Sequence, residues 1–230
     1  NYRFRFQNFG KLNGPFDSWV IDYIYLNNNR NSNDTIFIDR TLTYKPNNIF
    51  GSLTSIPMEQ FLNNPDLFLD SIHVGFNNLN NQIQPIEFNC IVYDVFNNSI
   101  IDTLSWKEPL NPIAQGFERR ILSSKILNKE KIPIDKDSLH LKIKFYINSG
   151  DTIINGIDYR VNDTVININK INDYLSYDDE KAEFAAGINQ EDGEVVVMFI
   201  LNQKDTITHI DLYFPKIYPI SDDKKLELVL

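Results

Sequence analysis

Apolar and polar residues alternate along most of this chain, and this alternation limits its fold more than any other feature. Successive side chains of a β-strand point to opposite faces, so such a pattern indicates a strand with one buried face. Residues 2–6, 20–26, 139–145 and 166–168 all alternate in this way. The sequence therefore predicts an all-β protein with very little helix.

Short polar turns separate the predicted strands. Asn, Asp, Ser, Gly or Glu residues cluster at 27–29, 97–98, 148–151, 155–156 and 191–194. Asn, Asp and Gly favour tight turns through side-chain hydrogen bonds or backbone freedom. Regularly spaced short strands with such turns are typical of β-sandwiches. Helical signals are limited to two brief stretches, 57–63 and 123–131.

Length and pattern divide the chain into three predicted regions. Its 230 residues exceed one ordinary sandwich, since domains of this kind usually hold about 100–150 residues. Residues 63–170 have the strand spacing of a single Ig-like sandwich, while 1–62 and 171–230, with strands predicted at 195–201 and 207–214, differ from it. Because residues 2–6 and 226–230 both read as strand interiors, we expect the chain to be part of a longer protein.

Charge and composition exclude several classes of partner. Lys and Arg number 22 against 31 Asp and Glu, a formal net charge of −9, which repels phosphate backbones and argues against nucleic-acid binding. No run of about 18 apolar residues could cross a bilayer, so we predict no membrane-spanning segment. The lone cysteine, Cys90, alternates with Phe88 and Val92 and is predicted to be a buried free thiol.

Groups that could carry catalysis do not converge in the sequence. His73, His140 and His209 each stand alone in strand-like surroundings, without the spacing of a metal site. No nucleophile elbow or phosphate-binding glycine loop occurs. We therefore predict no catalytic residue, no enzyme activity and no cofactor.

An acidic turn at Asp178, Asp179 and Glu180 could bind a structural calcium ion, because calcium takes several carboxylate and carbonyl oxygens. The other interpretation is a solvated turn, in which acidic residues are common.

An aromatic strand offers a candidate binding surface. Trp19, Tyr23 and Tyr25 share one face of the predicted strand over 16–26. Aromatic rings with polar tips can stack on sugars. The alternative is that this face packs in a core or against a neighbouring domain.

Six copies of an Asp-Thr or Asp-Ser pair followed by an apolar residue run along the chain. As local structure, the pair is a turn residue leading into a strand. The hydroxyl residues of the six copies are Thr35, Thr103, Ser138, Thr152, Thr164 and Thr206.

Two stretches resemble motifs of large exported proteins of the Bacteroidota. Residues 16–27, with 55–61 after them, resemble the latter half of a jelly-roll module written Asp-x-Trp-x-Ile-Asp-Tyr-Val-Tyr-Leu. Residues 177–183, with 205–214 after them, resemble the opening half of such a module, usually Tyr-Asp-Asp-Gly-x-Ala-Glu, with Glu180 in place of the glycine. The resemblance implies tandem β-sandwich modules, in which 1–62 closes one jelly-roll-like part, 63–170 is Ig-like and 171–230 opens another.

Proteins with these motifs are associated with type IX secretion and gliding, as envelope components or secreted cargo. The six Asp-Thr or Asp-Ser copies also resemble the O-glycosylation acceptor of that phylum, in which the hydroxyl carries the glycan. The resemblance implies an exported protein of the periplasm or cell surface, associated with the outer membrane.

The expected function is binding or scaffolding of protein partners in the cell envelope, as an accessory of secretion or gliding. One alternative is a carbohydrate-binding or adhesive module that stacks a glycan on Trp19, Tyr23 or Tyr25. A third and weaker hypothesis is an exported hydrolase.

Overall fold

The computed structural model describes residues 5–7, 9, 21, 24, 31–136, 138–181, 193–201 and 203–213. The chain divides into two compact units. The main unit comprises Asp22–Glu180 and Phe199–Gln203, and the second comprises Asn1–Ile21, Lys181–Met198 and Lys204–Leu230. All helices and strands named below lie in the main unit.

Strands dominate the main unit, as the alternation predicts. In chain order they are β1 (Arg40–Leu42), β2 (Ser55–Pro57), β3 (Ser71–Asn78), β4 (Glu87–Asp94), β5 (Ile100–Pro109), β6 (Arg119–Ile126), β7 (Leu139–Asn148), β8 (Ile153–Ile154), β9 (Ile157–Asp158) and β10 (Thr164–Asn172). The helices are short: α1 (Met58–Asn63), α2 (Pro65–Phe68) and a 3-10 helix at Lys129–Lys131. The prediction of a mainly β protein with little helix is confirmed.

Two sheets share one hydrophobic core. The three-stranded sheet has the order β1-β3-β6 and the five-stranded sheet the order β2-β10-β7-β4-β5. All neighbouring strands in them are antiparallel except β2, which runs parallel to β10. Buried residues of both sheets, including Phe76 and Phe145, belong to the same cluster. Phe88 stacks on Phe145 with ring centroids 5.6 Å apart, and burying such a ring contributes about 1.5–3 kcal/mol.

Strand β7 shows how the alternation produces the fold. Leu139, Leu141, Ile143 and Phe145 are fully buried, whereas the residues between them are partly exposed. Cys90 is fully buried, as predicted, and burial raises the pKa of its thiol to about 12. A thiol so far from ionisation is inert as a nucleophile or metal ligand.

Local signals for turns and helices are only partly confirmed. Asn155 and Gly156 join β8 to β9 with φ values of 51° and 82°, as a two-residue hairpin turn requires. The helix predicted within 57–63 forms as α1. The helical prediction over 123–131 is wrong for 123–126, because these residues pair with β3 and form the end of β6. Within that stretch only Lys129–Lys131 are helical, as a 3-10 turn.

Segments from either side of the boundary predicted at residue 62 join the same sheets. β1 pairs with β3, and β2 pairs with β10 and is bridged to Ser176. The strands predicted over 195–201 and 207–214 do not form in the described residues 193–201 and 203–213, which contain no helix or strand. The division into three modules stays a prediction.

Neither α1, α2 nor any other helix in the described part of the chain has the length and apolar character needed to cross a membrane.

Candidate functional site

The outer face of the five-stranded sheet combines aromatic, basic and apolar side chains. We call it the lysine-tyrosine face, and it consists of Tyr93, Lys142, Lys144, Tyr146, Ile166 and Ile168. Strand β7 turns Lys142 and Lys144 away from the core because the residues alternating with them are buried. The strand register places Lys142 between Tyr93 and Ile168. Ile166 and Ile168 are 48% and 43% exposed, so this face has an accessible apolar part.

Each tyrosine of this face has a lysine ammonium over its ring. Lys142 Nζ is 5.1 Å from the ring centroid of Tyr93, and Lys144 Nζ is 5.1 Å from that of Tyr146. Such a contact is worth about 0.5–1 kcal/mol at an exposed site. Burial and the neighbouring Tyr93 raise the pKa of the Tyr146 hydroxyl, which keeps it neutral. The face is therefore cationic in a chain of formal net charge −9.

A hydrogen-bonded turn between β4 and β5 holds one lysine of this face in place. Asp94 is buried, pairs with Lys136 and accepts the Phe96 N–H at 2.9 Å. Burial would raise the pKa of Asp94, but the hydrogen bonds from Lys136 and Phe96 outweigh it and lower that pKa. At the same turn, Asn98 Oδ1 accepts a 2.6 Å hydrogen bond from Lys142 Nζ.

The acidic turn predicted to bind calcium uses its carboxylates within the protein. Asp179 Oδ2 lies 2.5 Å from Lys45 Nζ, and Glu180 pairs with Lys170. Asp178 Oδ1 accepts the backbone N–H of Glu180. In the part of the chain that the structure describes, no group of three or more His, Cys, Asp and Glu side chains could hold a metal. Calcium binding at this turn stays a prediction.

Residue 180 has the backbone conformation that glycine favours. Its φ is 67°, a left-handed value that costs an ordinary residue about 1–2 kcal/mol. The resembling motifs carry glycine at this place. Glu180 offsets part of the cost through its contact with Lys170, which lowers the pKa of the Glu180 carboxyl.

The predicted sugar-stacking residues Trp19, Tyr23 and Tyr25 lie outside the described residues. The candidate glycosylation positions lie within them. Ser138 is half-buried, and the exposed ones are Thr35, Thr103, Thr152, Thr164 and Thr206.

In several of these pairs the aspartate has a structural role. Asp102, Asp151 and Asp163 are buried, and Asp102 Oδ1 accepts the N–H of Thr103 at 2.8 Å. The buried aspartate thus fixes the chain while the hydroxyl after it faces solvent. Glycosylation of these hydroxyls stays a prediction.

Two copies of that pair converge in a buried group of charges, which we call the acidic cluster. Its members are Asp39, Arg40, Ser149, Asp151 and Asp163. Arg40 pairs with Asp151 through its side chain, and its backbone N–H donates to Asp151 Oδ2 at 2.9 Å. Ser149 Oγ donates to Asp163 Oδ2 at 2.6 Å. Burial, followed by the charges of Asp151 and Asp39, raises the pKa of Asp163 to about 6.

His73 bridges two serines on neighbouring strands. Its Nδ1 is 2.8 Å from Ser123 Oγ and its Nε2 is 2.9 Å from Ser71 Oγ. A serine hydroxyl can donate or accept, so both contacts can be hydrogen bonds whichever ring nitrogen donates. This row of side-chain hydrogen bonds links β3 to β6.

Sequence reasoning missed both the lysine-tyrosine face and the His73 row. The spacing of Lys142 and Lys144 did reveal a common face. Their partners in β4 and β10, and the pairing of His73 with Ser123, depend on register between strands distant in sequence.

No protein-family model matches this chain, and neither curated proteins nor solved structures give a match. The resemblance to exported proteins of the Bacteroidota therefore rests on the sequence motifs. Function must be inferred from the side chains and their geometry.

Proposed function

We propose that this chain is a non-catalytic binding or scaffolding part of an exported envelope protein, and that its lysine-tyrosine face contacts a protein partner. The observation that carries the proposal is the placement of Lys142 over Tyr93 and Lys144 over Tyr146, beside exposed isoleucines. Aromatic residues are enriched where proteins meet. Charges around them steer association and set its specificity.

The same geometry favours a protein partner over a sugar. A sugar ring stacks on a bare aromatic face. Here a lysine ammonium lies 5.1 Å from the centroid of each tyrosine ring. A partner with acidic and apolar side chains would match both the ammonium groups and the exposed Ile166 and Ile168.

The cellular setting and the module arrangement belong to this proposal. We infer an accessory of type IX secretion or gliding, built from tandem jelly-roll-like and Ig-like sandwiches. The motif resemblance of residues 16–61 and 177–214 supports the setting. Two sheets around one core in the main unit support a sandwich module.

The test is a pull-down from solubilised native envelopes, with the full chain as bait and partners identified by mass spectrometry. The Lys142→Ser, Lys144→Ser variant removes both cations of the face and leaves the core unchanged. We expect stoichiometric recovery of an envelope protein by the wild type. The variant should recover it with roughly tenfold lower affinity, the equivalent of about 1.4 kcal/mol.

A matched control removes two lysines elsewhere. Lys45→Ser, Lys129→Ser deletes the exposed partners of Asp179 and Asp66, and exposed ion pairs contribute about 0–1 kcal/mol to stability. This control should recover the partner like the wild type. Equal recovery by all three baits, or recovery of no partner by any of them, would contradict the proposal.

A further inference from the structure

The two sheets end in four edge strands, whose outer backbone groups could pair with another chain. β1 and β6 bound the three-stranded sheet, and β2 and β5 bound the five-stranded sheet. Proteins usually block such edges with bulges, prolines, charges or covering segments, because an open edge is a template for strand addition. The four edge strands differ in how far their outer backbone groups are covered.

The two short edges are covered by the chain itself. On β1, the Leu42 N–H donates to Asn162 O at 3.2 Å. On β2, Ser55 forms a bridge with Ser176, whose backbone both donates to and accepts from it.

Edge strand β5 is irregular and partly covered. Its register against β4 shifts at three places, Lys107 has a φ of 48°, and Pro109 ends the strand. Its Asp102 side chain accepts the Asn128 N–H at 3.1 Å and contacts Lys131 Nζ at 2.5 Å. A bulged edge tied to a neighbouring segment is a poor template for another strand.

Edge strand β6 carries charges of one sign, and its register with β3 shifts at one place only, between Ser71 and His73. Its register with β3 is continuous from Arg119 to Ser123, and residues 119–126 include neither glycine nor proline. Within the described residues, no other segment makes a backbone hydrogen bond to its second edge.

The side chains of β6 give this edge a definite chemistry. Arg119, Ile121, Ser123 and Lys125 alternate on the exposed side, and Ile121 is 63% exposed. Arg119 and Lys125 form no ion pair with any residue that the structure describes. Residues 119–126 carry three basic and no acidic side chains, although the chain as a whole has a net charge of −9.

We propose that β6 binds an extended acidic segment of a protein partner as an added strand of the three-stranded sheet. The open backbone edge supplies hydrogen bonds to any extended chain. Arg119 and Lys125 select acidic side chains near the two ends of the added strand, and Ile121 selects an apolar one between them. The inference rests on the proposed protein-binding function but uses a different surface from the lysine-tyrosine face.

A second copy of the chain would fit this edge poorly. Antiparallel pairing of two β6 strands about their centre would place Lys125 opposite Arg119 or Arg120 of the other copy. Like charges directly opposite each other are destabilising.

The test uses the full chain and a synthetic peptide in which every second residue is threonine and the residues between are glutamate or valine. The comparison peptide has the same sequence with lysine in place of each glutamate. We expect the glutamate peptide to bind and to protect the amides of residues 119–126 from hydrogen exchange. The Arg119→Glu, Lys125→Glu variant should bind that peptide about tenfold more weakly and should prefer the lysine peptide. Both substituted residues are exposed, so the fold should be retained.

A control variant separates the outcomes. Lys45→Glu, Lys129→Glu reverses two charges away from β6 and should leave peptide binding unchanged. Equal binding of both peptides, protection outside β6, or a dimer that the β6 reversal dissociates would overturn the inference. This inference alone fails if the Lys142→Ser, Lys144→Ser variant loses the envelope partner but the glutamate peptide does not protect β6 from hydrogen exchange.

Only the proposed role of the lysine-tyrosine face fails if the peptide protects β6 but that variant still recovers the envelope partner.

Discussion

Two groups of buried polar side chains hold the segment from residue 39 to 49 in the main unit, and they do so by opposite means. The acidic cluster uses charge, since Arg40 pairs with Asp151. The second group uses neutral amides on β10. Asn169 Oδ1 accepts the Ile49 N–H at 3.0 Å, and Asn167 Nδ2 donates to Pro46 O at 2.9 Å.

The difference between them is the degree to which their hydrogen-bonding groups are satisfied. Both amides also donate to Asn48 Oδ1 at 2.9 Å. In the acidic cluster, by contrast, Asp163 Oδ1 and Arg40 Nε are buried without a hydrogen-bond partner among the described residues. The amide group has no ionisable side chain and should be insensitive to pH, whereas burial raises the pKa of Asp163 in the acidic cluster to about 6.

The largest effect should come from removing the positive charge of the acidic cluster. Arg40→Met leaves Asp151 buried without a countercharge, which should lower the free energy of unfolding by about 3–5 kcal/mol. Urea denaturation followed by circular dichroism measures this loss. Adding Asp151→Asn should recover most of it, because an amide oxygen can still accept the backbone N–H of residue 40. A double variant as unstable as the single one would show that packing, and not charge, holds this site.

A smaller loss should follow from removing one amide on β10. Asn169→Ala leaves the Ile49 N–H buried without a partner, which should lower the free energy of unfolding by about 2–3 kcal/mol. The loss should be the same at about pH 5 and about pH 8, since no ionisable group takes part. Asn81→Ala, at an exposed position, is the control and should change stability by about 0.5 kcal/mol or less. A loss of stability that varied with pH would contradict the conclusion that the amide group is independent of pH.

The smallest effect concerns the pH dependence of the acidic cluster. The pKa of Asp163 is raised to about 6 by burial first and then by Asp151 and Asp39, against the bond from Ser149 and the charge of Arg160. Because the folded state binds this proton more tightly than the unfolded state, the resulting stabilisation is complete below about pH 4 and is lost as the pH rises through about 6.

In the Asp163→Asn variant the side chain at this position is neutral at every pH. The variant should therefore not lose stability as the pH rises through about 6. We expect it to raise the free energy of unfolding by about 1–2 kcal/mol above about pH 6 and to change it little near pH 4. Calorimetric melting temperatures of both proteins across this range measure the difference. Parallel curves for wild type and variant would show that Asp163 does not titrate in the folded protein.

Predictions from sequence succeeded where short-range chemistry decides the structure. The alternation over 139–145 correctly identified a strand, and all its apolar members are buried. The dipeptide Asn155-Gly156 correctly identified a tight turn, because both residues must adopt positive φ there. These features depend on neighbours only a few residues away.

Strand β10 shows where such reasoning stops. Its alternation predicts a strand correctly, but hydrophobicity would bury the isoleucines, whereas Ile166 and Ile168 are exposed and Asn167 and Asn169 are buried. The asparagines face inward because the backbone of residues 46–49 needs hydrogen-bond partners there. That need arises from a segment distant in sequence.

The sequence by itself determined that this chain forms strands joined by polar turns, with a buried cysteine and little helix. Alternation and turn chemistry act within a few residues, so they can be read locally. Only the tertiary structure decided which face of β10 is buried, which lysine lies over which tyrosine, and which strand edge stays open. These outcomes depend on the register between strands that are far apart in sequence, and no local pattern specifies that register.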